Sequence, residues 1–279
     1  MREESSGHRE FVFTDKNFAT IREIAYQVSG IKLSDHKRNM VYGRLARRLR
    51  KLNLHSFDDY CSIIQQDNSA EFGEFINALT TNLTSFFREN HHFEFLRDTV
   101  CPALRAKPGI KKRLRAWSAG CSTGEEPYSI AITLAAHLDL SRFDVKVLAT
   151  DLDSNVVAKG KAGIYPIERI EALAPEVQKK NFTRSKDGKS VQVRANYANL
   201  ITFKVLNLLQ PWPMKGPFDF VFCRNVVIYF DKDTQRVLFD RIADLIVDGG
   251  YLFIGHSENL HKVSNRFRSL GKTIYQKTH

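Results

Sequence analysis

The spacing of hydrophobic residues divides the chain into two parts. Between residues 14 and 105, apolar positions recur with the period of an amphipathic helix. In the stretch FTDKNFATIREIAYQVSG, one helical face carries the apolar side chains of Phe18, Ile21, Ala25 and Val28. Thr14 or Asp15 would cap the start of this helix, and Gly30 would end it. Similar patterns predict further helices up to residue 105.

Beyond residue 110 the pattern changes to short β-rich runs separated by helical stretches. The predicted strands include RLRAW, VKVLATD, FDFVFCRN and YLFIGHS. Such alternation is typical of α/β proteins, in which a mostly parallel sheet carries helices on both faces. The segment GKSVQVRAN differs, because its alternating residues and an Asp187-Gly188 turn predict a small antiparallel excursion.

These patterns predict a domain order. The polar, mixed-charge start predicts a disordered tail over residues 1–13, followed by an all-α domain over residues 14–105. A linker is expected at about residues 106–112, where the sequence AKPGIKKR combines proline, glycine and basic residues. The α/β domain then occupies residues 113–279, with a small β-subdomain within about residues 166–200.

Charge and cysteine content narrow the choice of partner and compartment. Lysine and arginine total 42 against 31 acidic residues, so the net charge is +11 and favours an acidic partner such as nucleic acid, anionic lipid or an acidic protein. The four cysteines form no C-x-x-C pair, which indicates free thiols in a reducing compartment. No apolar run approaches the roughly 18 residues of a membrane span. We therefore expect a cytoplasmic protein without membrane insertion.

The loop GCSTG, residues 120–124, fits two interpretations. It matches G-x-S-x-G, in which Ser122 would be a hydrolase nucleophile, with Asp219 and His256 following in the order of a triad. It also lies between a predicted strand and a predicted helix, where small residues let the backbone approach a cofactor. Because no strand is predicted before RLRAW and no H-G-G-type segment precedes it, the sequence favours the second interpretation.

The residues around this loop indicate which cofactor it would hold. Asp151 ends the next predicted strand, where a carboxylate can accept both ribose hydroxyls of an adenosine-containing cofactor, although it could also simply cap the following helix. The loop lacks G-x-G-x-x-G, and Glu125 and Glu126 would repel a pyrophosphate. The carboxylates of Glu125 and Glu126 are compatible with a cofactor that carries positively charged sulfonium and ammonium groups. The charges thus favour S-adenosylmethionine over NAD or ATP.

Several motifs together resemble one family, the chemotaxis receptor methyltransferases of the CheR type. They are INALTTNLTSFFRENHHF, WSAGCSTGEEPYSIAI, LATDLD, FCRNVVIYFD and LFIGHSEN, and GIKLSDHKRNMVYGRLARRLR is similar to the family's N-terminal domain. The resemblance implies a small helical receptor-docking domain before a Rossmann-like methyltransferase domain with an inserted antiparallel β-subdomain. It also implies methyl transfer from S-adenosylmethionine to glutamate side chains on the cytoplasmic helices of chemoreceptors, which tunes chemotactic adaptation.

The resemblance also assigns residues. The implied cofactor contacts are Asn82, Thr84, Arg88, Glu126, Asp151, Asn207, Leu208, Asn225 and Val226. Arg88 and Tyr229 fall where the family places residues near the transferred methyl, and they are the implied catalytic residues. Some members use the β-subdomain to hold a peptide tethered at the receptor C-terminus. The compact turn in FTRSKDGKSVQV departs from that pattern, so the resemblance does not carry this function over.

The second predicted helix carries a basic surface. At 100° per residue, Lys37, Arg44, Arg47, Arg48 and Lys51 fill an arc of about 100° beside the apolar stripe, with Arg50 beyond it. This arc is either a solvated face or a docking face for a glutamate-rich receptor helix, and we predict that it binds substrate.

Two other functions are compatible with parts of the sequence. A nucleic-acid methyltransferase would also use a basic surface, but the N-P-P-Y or D-P-P-Y segment of base-amine methylases is replaced here by CRNVVIY. A regulatory module that binds the cofactor without turnover is the non-enzymatic alternative. His91, His92, His256 and His261 lack the spacing of a metal site. The sequence therefore predicts a monomeric enzyme that needs no metal and binds no nucleic acid.

Overall fold

The computed structural model describes residues 9–66, 70–106 and 112–278. Contacts divide the chain into two compact units, Met1–Thr81 and Asn82–His279. The predicted linker lies mostly outside the described residues. Among those described, no helix is both long enough and apolar enough to cross a membrane.

The first unit contains helices whose ends follow from capping residues in the sequence. They are α1 Asp15–Ser29, α2 Arg38–Lys51, α3 Phe57–Ile64 and α4 Ala70–Leu79. The Thr14 side chain accepts from the Asn17 backbone at the start of α1, and Gly30, with φ of 68°, ends it. Ser56 caps α3 in the same way as Thr14 caps α1. The apolar stripes of these helices form the core of the unit, as the helical period predicts.

The predicted tail is wrong for residues 9–13. Phe11 and Phe13 are buried, and the rings of Phe13 and Phe57 lie 4.4 Å apart. The Phe11 backbone N–H also donates to the Tyr42 hydroxyl at 3.2 Å. Alternate aromatic residues thus fasten this segment to α2 and α3, because burying two phenyl rings outweighs the entropy of ordering a short segment. Residues 1–8 of the predicted tail lie outside the described residues.

The predicted domain boundary at residue 105 is also wrong, because the second unit begins at Asn82. Helix α5, His91–Phe95, continues through a π-helical turn, Leu96–Val100, into α6, Cys101–Ala106. The side chains of Phe93, Leu96 and Leu104 are buried in one cluster with residues of the sheet. The helical period was correct for this segment, but period alone does not identify the surface against which a helix packs.

The second unit is built on a seven-stranded sheet with strand order β6-β2-β1-β7-β8-β10-β9. These strands are β1 Lys112–Ala119, β2 Phe143–Asp151, β6 Ile201–Val205, β7 Phe218–Cys223, β8 Ile246–Ile254, β9 Phe267–Gly271 and β10 Ile274–Lys277. The first five are mutually parallel, and β10 is antiparallel to β8 and β9. The sheet confirms the predicted α/β architecture.

Helices cover both faces of this sheet. The longer ones are α7 Glu125–His137, α8 Ser154–Ala162 and α11 Lys232–Leu245. Successive residues of β1 alternate between the faces: Trp117 packs in the cluster that contains α11, and Ala116 in the cluster that contains α7. A second sheet of three antiparallel strands, in the order β3-β5-β4, forms the predicted β-subdomain. Its elements are β3 Ile164–Pro166, α9 Pro175–Asn181, β4 Phe182–Arg184, β5 Ser190–Val193 and α10 Ala195–Ala198.

The carboxyl ends of β1, β2, β6 and β7 meet at one edge of the sheet, because these strands are parallel neighbours. In open α/β sheets, ligands bind in the crevice outside this edge. The four cysteines, Cys61, Cys101, Cys121 and Cys223, are all free and buried, as the sequence predicted for reduced thiols.

Candidate active site

The loop after β1 is shaped for close approach by a ligand. Gly120 and Gly124 have φ of 100° and 99°, and Ser122 between them has φ of 48°. A Cβ atom on Gly120 would lie 2.3 Å from Cγ2 of Val226, so a side chain cannot be placed there without moving the Val226 side chain. The turn then delivers the chain into α7 at Glu125. The loop therefore forms a cradle of backbone atoms at the carboxyl edge.

Asp151, the last residue of β2, connects this loop to the next one. Its Oδ2 accepts from the Ser122 backbone N–H at 2.8 Å, and its Oδ1 accepts from the Asp153 N–H at 3.0 Å. Asn82 joins the group because its Nδ2 donates to Asp153 Oδ2 at 2.8 Å. Partial burial raises the pKa of the Asp151 carboxyl above its usual value. Asn82 and Asp151 therefore belong to one hydrogen-bonded group at the carboxyl edge.

Ser122 does not form a nucleophilic triad. Its Oγ donates to the Asn82 backbone carbonyl at 3.1 Å. Asp219 lies near the start of β7, where its carboxylate accepts from the Arg115 N–H at 2.8 Å, and thus at the edge of the sheet opposite Ser122. His256 is exposed. The hydrolase interpretation is excluded because a serine nucleophile needs a base within hydrogen-bond reach.

Glu126 lies beneath the crevice and belongs to a buried network. Its Oε1 accepts from the Ser118 hydroxyl at 2.7 Å and its Oε2 from Arg224 Nη1 at 3.0 Å. Burial raises the pKa of this carboxyl, and the Arg224 charge acts in the opposite direction. Sequence reasoning missed Arg224, although the FCRN motif contains it. Glu125 is also buried, and its Oε1 lies 2.8 Å from Nη2 of Arg169.

The segment that leads into α5 carries Thr84 and Arg88. Phe87 and Glu89, which flank Arg88, have φ of 54° and 55°. Residues other than glycine and asparagine rarely adopt this backbone conformation. Arg88 Nη1 donates to the Leu83 carbonyl at 2.7 Å. The Thr84 carbonyl accepts from Arg169 Nη1 at 3.2 Å. We call residues 84–89 the Arg88 loop.

The loop after β7 carries Asn225, Val226 and Tyr229, and it is held from below by Glu258. One Glu258 oxygen accepts from the Asn225 N–H at 3.0 Å and the other from the Val227 N–H at 3.0 Å. Burial raises the pKa of Glu258. Tyr229 is half-buried in the turn that follows. Sequence reasoning missed Glu258, because its partners follow another strand.

Asn207 and Leu208 follow β6 at the same edge. The Leu206 N–H donates to the Asp151 carbonyl at 2.9 Å, which brings this segment beside the end of β2. Asn207 Oδ1 accepts from the Leu209 N–H at 2.9 Å, and Leu208 is buried in the core. The residues implied for the cofactor therefore all lie on segments at or beside the carboxyl edge. Their individual contacts with the cofactor remain predictions.

The predicted basic arc of α2 is only partly available to a partner. Arg44 Nη1 donates to the carbonyls of Leu79 and Thr80, at 2.8 and 2.6 Å, where α4 ends. Arg48 is largely buried and pairs with both oxygens of Glu71 and with Glu74. Arg50 pairs with Glu10 at 2.7 Å. Lys37 is half-buried, whereas two members of the arc are exposed, Arg47 and Lys51. The periodicity located the arc correctly but could not show which long side chains bind internal partners.

One cluster could offer ligands to a metal among the described residues, although none was expected. Glu89, His91 and His92 bring potential ligand atoms within 4.8 Å of one another. Both imidazoles donate through Nε2 to the Lys272 carbonyl, at 3.0 and 3.3 Å. Burial lowers the pKa of His92 to about 3, so this imidazole is neutral. That the enzyme needs no metal remains a prediction.

Two protein-family models match consecutive parts of this chain. The all-alpha domain of the CheR methyltransferases matches residues 16–80, and their SAM binding domain matches residues 82–276. The chain belongs to the CheR methyltransferase family. Its cofactor is S-adenosylmethionine, and the glycine cradle and the Asp151 carboxylate suit that molecule's ribose and its cationic groups. The boundary between the two models coincides with the boundary between the compact units.

Similar proteins support the CheR assignment over nearly the whole chain. A chemotaxis protein methyltransferase of Klebsiella aerogenes is 46% identical over 94% of this chain and 89% of its own length. That of Salmonella typhimurium is 45% identical over 96% of this chain and 92% of its own length. That of Escherichia coli is 45% identical over 94% of this chain and 91% of its own length.

Proposed function

We propose that this CheR methyltransferase transfers the methyl group of S-adenosylmethionine to glutamate side chains on the cytoplasmic helices of chemoreceptors. The products are glutamate methyl esters and S-adenosylhomocysteine. The observation that carries the proposal is the match of both CheR domains, the all-alpha domain over residues 16–80 and the SAM binding domain over residues 82–276. An enzyme acting on receptor cytoplasmic helices works in the cytoplasm, and we propose that it acts as a monomer.

The chemistry requires positioning more than proton transfer. A glutamate carboxyl has a usual pKa of about 4.3, so the acceptor is already an anion at neutral pH and needs no general base. S-adenosylmethionine, when bound, supplies a methyl group on a positively charged sulfur. The glutamate oxygen would accept this methyl group, and the electron pair of the broken carbon–sulfur bond would stay on the sulfur of S-adenosylhomocysteine. In-line alignment and exclusion of water then determine the rate.

The residues of this chain divide these tasks. Asp151 accepts hydrogen bonds from the ribose hydroxyls and fixes the cofactor at the carboxyl edge. Arg88 holds a carboxylate, either that of the cofactor or that of the substrate glutamate, through charged hydrogen bonds. Tyr229 lines the path of the methyl group with its ring and hydroxyl. The exposed Arg47 and Lys51 of α2 attract the acidic receptor helix.

Labelled methyl transfer tests this function. The protein and methyl-labelled S-adenosylmethionine are incubated with receptor-containing membranes in one reaction and with nucleic acid in another. We expect label on the receptor alone, released as methanol by mild base, because a carboxyl methyl ester is base-labile. An Asp151→Ala variant, assayed at a cofactor concentration below its raised Kd, serves as the control for contaminating methyltransferases. Base-stable label, or label on nucleic acid instead of receptor, would contradict the proposal.

A further inference from the structure

A buried arginine outside the predicted site contacts the Arg88 loop. Arg224 directly follows β7, and its side chain is only 2% exposed. Its Nη2 donates to the Arg88 backbone carbonyl at 2.6 Å, and the same nitrogen lies 3.5 Å from Glu89 Oε1. Its Nη1 donates to Glu126 Oε2 at 3.0 Å. One guanidinium thus bridges the loop, α7 and the end of β7.

The Arg88 loop needs such support because of its backbone conformation. Phe87 and Glu89 both adopt left-handed φ values, which persist only where the surroundings impose them. The Phe87 N–H donates to Ser129 Oγ at 2.9 Å and so fixes the loop on one side of Arg88. On the other side, Arg224 binds the Arg88 carbonyl and faces the Glu89 carboxylate.

Arg224 is itself held in place. Glu126, which accepts from Arg224, also accepts from the Ser118 hydroxyl of β1 at 2.7 Å. The chain of contacts therefore runs from Ser118 of β1 through Glu126 and Arg224 to the backbone of Arg88. A lysine could keep the charge but not the planar fork that reaches two partners at once.

We propose that Arg224 is a positioning residue for methyl transfer: by binding the Arg88 carbonyl and Glu89, it sets the direction of the Arg88 guanidinium. This inference rests on the proposed function, in which Arg88 holds a carboxylate near the transferred methyl. Arg224 acts through Arg88, so its effect on the rate should depend on Arg88 being present.

A double-mutant cycle tests this dependence. Arg224→Lys is compared with the unmodified protein, and again in an Arg88→Lys background, chosen so that a rate remains to be measured. We expect Arg224→Lys to lower kcat for receptor methylation by about 10- to 100-fold, since a misplacement of about 1 Å can cost about that much. In the Arg88→Lys background the same change should lower kcat by less than about twofold, because the two residues act as one unit.

The matched control is Arg115→Lys. Arg115 also pairs with a carboxylate and a carbonyl, both of Asp144, at 2.5 and 2.7 Å, but it lies in β1 on the side away from the crevice. Its replacement should leave kcat unchanged and lower the melting temperature less than Arg224→Lys does, because Arg115 and Asp144 are more exposed than Arg224 and Glu126. A loss of activity in Arg224→Lys that is equal in both Arg88 backgrounds would overturn the inference, and so would an unchanged kcat.

If Arg224→Lys does not fold, the variant Glu89→Gln tests the same inference. Glu89→Gln keeps the shape of the side chain but removes the charge that faces Arg224, and its effect on kcat should likewise vanish in the Arg88→Lys background. An equal loss in both backgrounds would count against the positioning role. Failure of the proposed function is recognised separately, because the unmodified protein would then transfer no methyl group to receptors.

Discussion

Asp151 combines partial burial with two backbone hydrogen bonds, and this combination determines how the site responds to pH. Its pKa is raised above the usual 3.8, mainly by burial, although the N–H groups of Asp153 and Ser122 oppose the shift. The ionised form is the one that can accept two hydroxyl hydrogen bonds. As the pH falls through the raised pKa, the carboxylate takes up a proton and loses acceptor capacity.

Cofactor affinity should therefore fall on acidification at a higher pH than an ordinary aspartate would give. We expect Asp151→Ala to weaken cofactor binding at neutral pH by about 1–3 kcal/mol, because the ribose hydroxyls lose a charged acceptor. Asp151→Asn should bind more weakly than the unmodified protein and should lack the acid-dependent loss. Calorimetry with S-adenosylhomocysteine across the acid range measures both effects.

The control is Asp139→Asn. Asp139 is exposed and its pKa is lowered, mainly by the Ser141 hydroxyl, so its replacement should leave the affinity and its pH dependence unchanged. Parallel pH curves for Asp151→Asn and the unmodified protein would remove Asp151 from the cofactor site.

At the scale of the element, α2 carries two kinds of arginine on one basic arc. Arg48 donates to both carboxylate oxygens of Glu71. The Tyr60 hydroxyl also donates to Glu71, at 2.9 Å from its Oε1. Removing one partner of a buried pair leaves the other charge without compensation, which typically costs about 3–5 kcal/mol. Arg47 and Lys51 are exposed, and changes at such positions usually alter stability by less than about 0.5 kcal/mol.

Charge reversals at these two sets should give opposite results. Arg48→Glu should lower the free energy of unfolding by about 3 kcal/mol or more. The pair Arg47→Glu with Lys51→Glu should leave unfolding nearly unchanged but raise KM for receptor, because attraction to the acidic helix becomes repulsion. Urea unfolding and receptor methylation are measured for both. If the variant with both Arg47→Glu and Lys51→Glu methylates receptors with an unchanged KM, the basic arc of α2 is only a solvated face that does not bind the receptor.

The elements differ in how well the sequence predicts them. Helix α1 and the strands of the parallel sheet follow from period and capping, because those signals are local. The boundary at Thr81 does not, since α5 and α6 have the same helical period whether they pack on helices or on the sheet. The loops proposed to bind the cofactor are indicated by sequence motifs. Arg224 and Glu258 contact residues distant in the chain, for which spacing carries no signal.

At the scale of the whole molecule, the net charge of +11 should make receptor recognition sensitive to salt. Raising the ionic strength from about 0.01 M to about 0.1 M shortens the screening length from about 30 Å to about 10 Å. We expect KM for receptor to rise several-fold over this range while kcat and cofactor affinity change little, because Asp151 and the cradle are local contacts. Methylation assays and calorimetry at matched salt concentrations measure this. Equal KM values at both salt concentrations would show that long-range charge does not guide binding.

Each of the two units contains at least one buried cysteine thiol, and alkylation of these thiols can be used to measure how often each unit opens. Cys61 lies in the first unit and is 7% exposed, while Cys101, Cys121 and Cys223 lie in the second and are fully buried. An alkylating reagent can reach them only when the surrounding structure opens, so mass spectrometry of the modified chain yields a separate opening rate for each unit. Because Cys121 lies in the cofactor cradle, bound S-adenosylhomocysteine should slow its alkylation selectively and leave that of Cys61 unchanged. We therefore expect Cys121 of the unmodified protein to report whether the cofactor site is occupied.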